Sequence, residues 1–331
     1  MVKNILKVVF SGGILAWLIA QDKVNFDIIG QLTKTPHILL MAISFIILQN
    51  FSNSFRFLQI IKTQSTKHFP YFLILAINWI GLFFTTVLPG AVTGDLVKVF
   101  YLKSIDSEIS KTSMILTALM DRIYGLIGLI ILMGVISLFR YNHLSTLGPG
   151  VNNILFFNFI LLSGVVVFFI VVFLPKNLQE KITSSTQKIP LIGKKMLHLN
   201  QCFWSLANHK KILFKCIGLS LISHQFGIFA FYILTSPFFG KELALLDIFT
   251  FIPMGMMVVA VPISPSGMGV GHAAFEKLFE LFGVMGGANL FNTFWVVILC
   301  NNLIGIIPYL FLGKKTRQTP ITPNQVENEK I

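Results

Sequence analysis

The sequence predicts an all-α polytopic membrane protein, with six full spans and two re-entrant broken hairpins arranged as an inverted repeat. Three observations predict this. Windows free of Asp, Glu, Lys and Arg recur at 38–55, 69–94, 123–139, 141–175, 216–240, 248–275 and 281–313. Lysines gather between these windows. Two of the windows are interrupted by Pro/Gly runs, one in each half of the chain. A spanning helix needs roughly 20 apolar residues, and a soluble core cannot hide that much continuous apolar helix. Of 331 residues, 54% are hydrophobic and 12% charged, with a mean hydropathy of +0.78. That charged share is about half of what a soluble domain carries.

The elements follow in order. Lys3 and Lys7 precede an apolar run to Ala20, which reads as a short first span over about 4–20. No small-residue cleavage site marks it as a signal peptide. The second span covers 38–60. An interrupted segment runs 70–104 around Pro89-Gly90 and Gly94. Spans at 112–139 and 153–174 come next. A basic stretch at 176–211 carries Lys176, Lys181, Lys188, Lys194, Lys195, Lys210 and Lys211, with Lys215 just beyond, against Glu180 alone. In it Ile189, Leu191, Met196, Leu199, Phe203 and Leu206 recur every three to four residues, the pattern of an interfacial amphipathic helix. For 176–188 a plain basic loop is equally open. A span at 213–235, a second interrupted segment at 246–283 and a last span at 289–312 complete the membrane domain, 1–313. The polar tail, 314–331, is expected to be disordered.

Charge fixes the sides. Lysine-rich loops stay in the cytoplasm, which places the N-terminus, 62–68, 176–211 and the segment after Lys314 there. The stretches 62–68 and 105–111 then lie on one side, so 70–104 enters and leaves by the same face. The second half, about 150–313, repeats the first, about 1–140, upside down, and 246–283 starts and ends outside. Gly/Pro-interrupted segments at matching positions of inverted halves point to a binding site. Irregular backbone survives at membrane depth only when buried in protein or facing water. The two turns are therefore expected to meet near the midplane and line one cavity.

The net charge of +13 suits anionic lipid headgroups. Because the lysines sit between apolar windows, nucleic acid is not the expected partner. Cys202, Cys216 and Cys300 have no metal-site spacing, and no cofactor is expected. Gly267-Met268-Gly269-Val270-Gly271 follow Pro265 in an apolar run and open no nucleotide-binding unit. No nucleophile with His/Asp companions stands out, so the chain is not expected to be an enzyme.

Ionisable residues within spans are functional candidates by default. Asp95 follows the glycine turn as a helix cap would, and Lys98 lies one turn on, on the same face. A helix N-terminus beside a lysine also suits a phosphate. Asp121 and Arg122 lie near mid-span and, as neighbours in sequence, face different partners. A structural ion pair with Arg56 or Asp95 and a lipid phosphate on Arg122 are both open. Arg56 stands near the end of its span, where snorkelling competes with a substrate role. His272 and Glu276, spaced i, i+4, suit a hydrogen-bonded pair or a proton-coupled step. His224, Gln225, Asn301 and Asn302 suit interhelical hydrogen bonds.

Several of these residues fall into familiar patterns. Pro89-Gly90-x-x-x-Gly94-Asp95-x-x-Lys98 resembles the PGGxGGDxxR signature of the lysylphosphatidylglycerol synthase membrane-region family, also called flippase-like. Asp121-Arg122-x-x-Gly125 resembles its DRxxG, and Pro262 to Val270 resembles its PxxPGGLGVRE. Arg56 matches the family arginine at the end of the second span. The chain departs in having Lys98 for arginine, which loses bidentate geometry, and Gly271-His272 for Arg-Glu, with Glu276 one turn later.

The resemblance implies movement of an anionic lipid or polyprenyl-phosphate-linked glycolipid across a bacterial or archaeal cytoplasmic membrane, with both termini cytoplasmic. It implies a headgroup site built from Arg56, Pro89, Gly90, Gly94, Asp95, Lys98, Asp121, Arg122, Pro265, Gly267, Gly269, His272 and Glu276. Some relatives carry a fused transferase domain; here the stand-alone translocator module is expected. The alternative is an accessory subunit that docks a separate cytoplasmic transferase through 176–211.

Overall fold

A computed structural model describes residues 34–65, 67–88, 93–187, 204, 209–260 and 269–315. Among them every regular element is helical. The first half contains α1 (Pro36–Ile61), α2 (Tyr71–Val87), α3 (Thr93–Ile105) and α4 (Lys111–Phe139). The second contains α5 (Pro149–Val172), α6 (Lys176–Gln187), α7 (Lys210–Thr235), α8 (Leu245–Ala260), α9 (Val270–Leu281), α10 (Gly287–Leu303) and α11 (Ile306–Lys315).

Local chemistry explains several ends. Pro36 and Pro149 open α1 and α5, where a missing N–H costs nothing. Ser110 caps α4 by accepting from the Ser113 amide at 3.0 Å.

Five helices are long and apolar enough to cross a membrane: α1, α4, α5, α7, and α10 together with α11. The expected first span, 4–20, and the tail beyond 315 lie outside the described residues. Two expectations change. The last span is broken at Ile304-Gly305, where amides of both residues bond three residues back. Pro308 has no N–H to offer the Ile304 carbonyl, so the α-helical ladder is interrupted. Gly305 sits so close to α2 that a Cβ would lie 2.1 Å from the Trp79 carbonyl oxygen. The stretch 176–187 is helix α6 rather than a plain loop, with Trp204 Nε1 donating to Thr183 Oγ1 at 3.1 Å. The apolar series from Ile189 to Leu206 lies outside the described residues.

The halves join along α1 and α7, which run antiparallel. Phe45 stacks on Phe229 at 5.7 Å. Asn53 accepts from Ser223 at 2.7 Å, Arg56 donates to Ser220 at 2.9 Å, and Gln59 accepts from Lys215 at 3.1 Å. As numbering rises on one helix it falls on the other, as in an inverted repeat. The remaining packing obeys the same exchange: α2 lies on α10 and α11, and α8 lies on α4.

Both hairpins are re-entrant. Asp106, after α3, accepts from Ser65 at 2.7 Å and pairs with Lys67 at 3.3 Å. The first hairpin therefore begins and ends at the face where α1 ends. Burial works against the Asp106 charge, yet Ser65, the Glu108 amide and Lys67 hold its carboxyl below the usual carboxylate range. At the opposite face Arg140, after α4, holds Asp247 in the first turn of α8 at 2.8 Å. There Phe251 and Phe282, near the two ends of the second hairpin, stack at 4.2 Å.

The core differs between halves. Phe231, Phe251, Phe275 and Phe279 anchor a large aromatic cluster around the second hairpin. Phe57, Ile74, Ile77 and Tyr101 form a smaller one around the first. Exposed Phe156, Phe157, Val166 and Ile170 on α5 face outward, as a lipid-contacting helix requires.

Candidate functional site

The site forms where α3 returns along α2. Gly94 is pressed so tightly onto α2 that a Cβ would come within 2.0 Å of Thr85 Oγ1 and 2.2 Å of the Gly81 carbonyl oxygen. That contact puts Asp95 in the first turn of α3, against α4. Lys98 lies over Gly81, its Nζ 3.1 Å from Asp95 Oδ1 and 5.1 Å from the centre of the Phe57 ring. Asp95 Oδ2 accepts from Arg122 Nε. Asp121, one residue earlier, faces the other way and pairs with Arg56 Nε at 2.7 Å. The helical stagger of adjacent residues thus feeds two separate ion pairs from α4.

Arg56 is 6% exposed, which overturns the snorkelling reading. Its guanidinium lies over Gly125, where a Cβ would sit 3.5 Å from Nη1, in ordinary van der Waals contact. His224 on α7 bonds the Gly125 carbonyl at 2.8 Å, an interhelical bond of the expected kind. Arg122 is more open, with its side chain 40% exposed.

A cavity of about 200 Å³ lies where both hairpins approach, lined by Gln49, Thr86, Val259, Phe275, Trp295 and Asn302 among others. Asn302 donates to Thr86 at 3.0 Å across the halves. A second, polar cavity of about 90 Å³ adjoins the ion pairs, lined by Asn50, Asn53, Ser54, Arg56, Asn78, Trp79, Lys98 and Asp121, with Leu75 and Leu82. Among the described residues the space beside the hairpins thus includes one mainly apolar cavity and one that carries the charged groups; the expected cavity between the two turns falls on residues outside the described ones. The tip residues Pro89, Gly90, Pro265 and Gly267 lie outside the described residues.

The second hairpin departs from expectation. His272 and Glu276 do not pair. His272 Nδ1 accepts from the Gly269 amide at 3.3 Å and its Nε2 faces Asn292 Oδ1 at 3.5 Å. Glu276 Oε2 accepts from the Ala288 amide at 2.7 Å, satisfying a free donor at the start of α10. Both side chains are drawn to α10, whose open amides and polar Asn292 compete better than the i, i+4 neighbour. Gly269, at φ 77°, provides the left-handed start of α9.

Sequence reasoning missed Asn50, Ser54, Asn78, Trp79 and Ser220 as parts of the site. A signal was present. Gln49, Asn50, Asn53 and Ser54 form a polar stripe at helical spacing in the charge-free second span. Among the described residues no group of three His, Cys, Asp or Glu side chains is placed to hold a metal ion.

No curated protein matches the chain, and no solved structure matches it. The family model described as the lysylphosphatidylglycerol synthase TM region matches residues 4–296, a stretch that contains α1 through α9 and every charged residue of the site. The chain belongs to the lysylphosphatidylglycerol synthase transmembrane-region family.

Proposed function

We propose that this protein moves an anionic lipid headgroup across the bilayer. The exposure of Arg122 carries the reading. It lies roughly 17 Å along α4 at helical rise, with its side chain 40% exposed and bonded to Asp95. An ionised group open to hydrocarbon at that depth is costly, so water or a headgroup must reach it. The five charged side chains, Arg56, Lys98, Arg122, Asp95 and Asp121, leave one net positive charge for an anion. The lipid tails remain in the bilayer while the headgroup passes along the first hairpin, as the two inverted halves rock about the α1–α7 contact.

In this reading the basic loops face the cytoplasm of a bacterial or archaeal cell, both termini with them. The protein transports phospholipid or polyprenyl phosphate and is not itself an enzyme. Proteoliposomes supply the test. The purified protein should move a labelled anionic lipid between leaflets, and Lys98→Ala and Asp95→Ala should slow it. No movement across a panel of phospholipids and polyprenyl phosphates, or unchanged rates in both variants, sinks the reading.

A second reading has one observation behind it. Helix α6 exposes Leu178 and Ile182 beside Lys176 and Lys181, a surface suited to docking a separate lipid-modifying transferase. Neutralising those lysines would then abolish lipid product without changing transport.

A further inference from the structure

Two buried donors in the polar cavity are not accounted for by the ion pairs. Asn50 Nδ2 and Trp79 Nε1 are shielded from solvent and have no hydrogen-bond acceptor among the described residues, and both residues line this cavity. Asn50 as a whole is 9% exposed. Buried N–H groups are rarely left in this condition, because their desolvation is costly.

Several surrounding groups are already engaged. Asn78 donates to Ser54 at 2.8 Å, and Ser54 donates to the Asn50 carbonyl at 2.7 Å. Asn53 Oδ1 accepts from Ser223, and Arg56 is held by Asp121 and Ser220. The two fully buried side-chain groups of the lining residues that have no partner among the described residues, Asn50 Nδ2 and Trp79 Nε1, are both donors. Donors call for an acceptor, so a metal ion or an ammonium group is the wrong occupant. Asp121 lines the same cavity but is neutralised by Arg56 at 2.7 Å, whereas Lys98, also on the lining, shares the single carboxylate of Asp95 with Arg122, which leaves that group one net positive charge. The volume, about 90 Å³, is that of roughly three waters. It accommodates one tetrahedral oxyanion.

Resting on the translocation reading, we propose that this cavity is a phosphate subsite, in which the Asn50 amide, the Trp79 indole N–H and Lys98 hold the phosphate group of the lipid. The rest of the headgroup stays outside it, on the Arg122 side. Recognition then acts through the phosphate and leaves the attached group free to vary.

The test uses purified protein in a maltoside detergent, which carries no phosphate. With ¹⁵N-labelled tryptophan the protein shows indole signals from 4 tryptophans, and the signal lost in Trp79→Phe belongs to Trp79. Inorganic phosphate and dihexanoylphosphatidylglycerol are titrated separately against sodium chloride of matched ionic strength. The Trp79 signal should move with a saturating dependence. Movement with both ligands identifies phosphate itself as the ligand; movement with the short-chain lipid alone identifies the headgroup ester. Asn50→Ala should weaken the apparent affinity about tenfold, the effect of one lost hydrogen bond to a charged group.

A Trp79 signal indifferent to both ligands overturns the proposal and marks a cavity for water only. Equal affinity in Asn50→Ala overturns it too. The two readings fail separately. Lipid movement at wild-type rate in Trp79→Phe and Asn50→Ala, with no signal change, removes the subsite and keeps translocation. A saturating, Asn50-dependent signal change without lipid movement keeps the subsite and removes translocation.

Discussion

Lys98 and Phe275 are counterparts across the repeat. Each is the sixth residue of its returning helix, α3 or α9, and each lies over the eleventh residue of the preceding helix, Gly81 or Gly255. A Cβ on Gly81 would come within 2.8 Å of Lys98 Cε, and one on Gly255 within 2.6 Å of Phe275 Cζ. The geometry is shared and the chemistry is opposite. Lys98 joins an ion pair with Asp95, whereas Phe275 stacks on Phe231 at 5.3 Å and Phe291 at 4.8 Å. By the same register Arg56 corresponds to Ala230 and Asp121 to Val297. At these matched positions the first half therefore carries charge and the second half apolar packing.

Removing one partner of the buried Arg56–Asp121 pair should be strongly destabilising. Arg56→Leu leaves Asp121 uncompensated, at a cost on the order of 3 kcal/mol. The double variant Arg56→Leu/Asp121→Leu should lose less than the sum of the single variants. Thermal unfolding in detergent measures both; additive losses would show that the pair is not coupled.

Gly94→Ala should loosen the first hairpin by about 1–3 kcal/mol or more. The added methyl meets the Gly81 carbonyl oxygen at 2.2 Å, and backbone cannot swing aside. Gly164→Ala is the control, since a Cβ there has nothing within 4 Å and a helical alanine is favourable. Equal melting temperatures for the two variants would contradict the close approach.

His272→Ala and Glu276→Ala should act independently, with a coupling below about 0.5 kcal/mol. Each bonds to α10 rather than to the other. A double-mutant cycle on thermal stability measures the coupling, and a large value would restore the i, i+4 pair.

Asp106 should contribute stability with a defined pH dependence. Its carboxyl is held below the usual range despite burial, by Ser65, the Glu108 amide and Lys67. A depressed carboxyl stabilises the fold above its unfolded value, near 3.9, and the contribution disappears as pH falls through the lower folded value. Asp106→Asn should thus melt below wild type at neutral pH, and the gap should close under strong acid. A gap that widens on acidification would reverse the sign.

The re-entrant topology predicts a labelling pattern. In a chain with Cys202, Cys216 and Cys300 replaced, Lys62→Cys and Ser107→Cys should react with an impermeant thiol reagent from one side. Asn142→Cys and Glu242→Cys should react from the other. Labelling of positions 62 and 107 from opposite sides would turn the first hairpin into a full crossing.

What the sequence alone determined is what depends on one segment at a time. Apolar length decides which stretches enter a bilayer, lysine placement decides which loops share a side, and Pro/Gly runs decide where a helix must stop. Those local rules were enough for an inverted helical repeat with broken hairpins. The polar character of Asp95, Lys98, Asp121 and Arg122 was visible in the same way, because charge within a span stands out against its neighbours. Tertiary structure decided the partners. Whether Asp121 met Arg56 or Asp95, whether Glu276 turned to His272 or to the Ala288 amide, and whether Trp79 and Asn50 faced a shared chamber all depend on distances between helices far apart in the chain. A hydrogen bond or ion pair is a property of two approaching surfaces, and no periodicity within one segment encodes its partner.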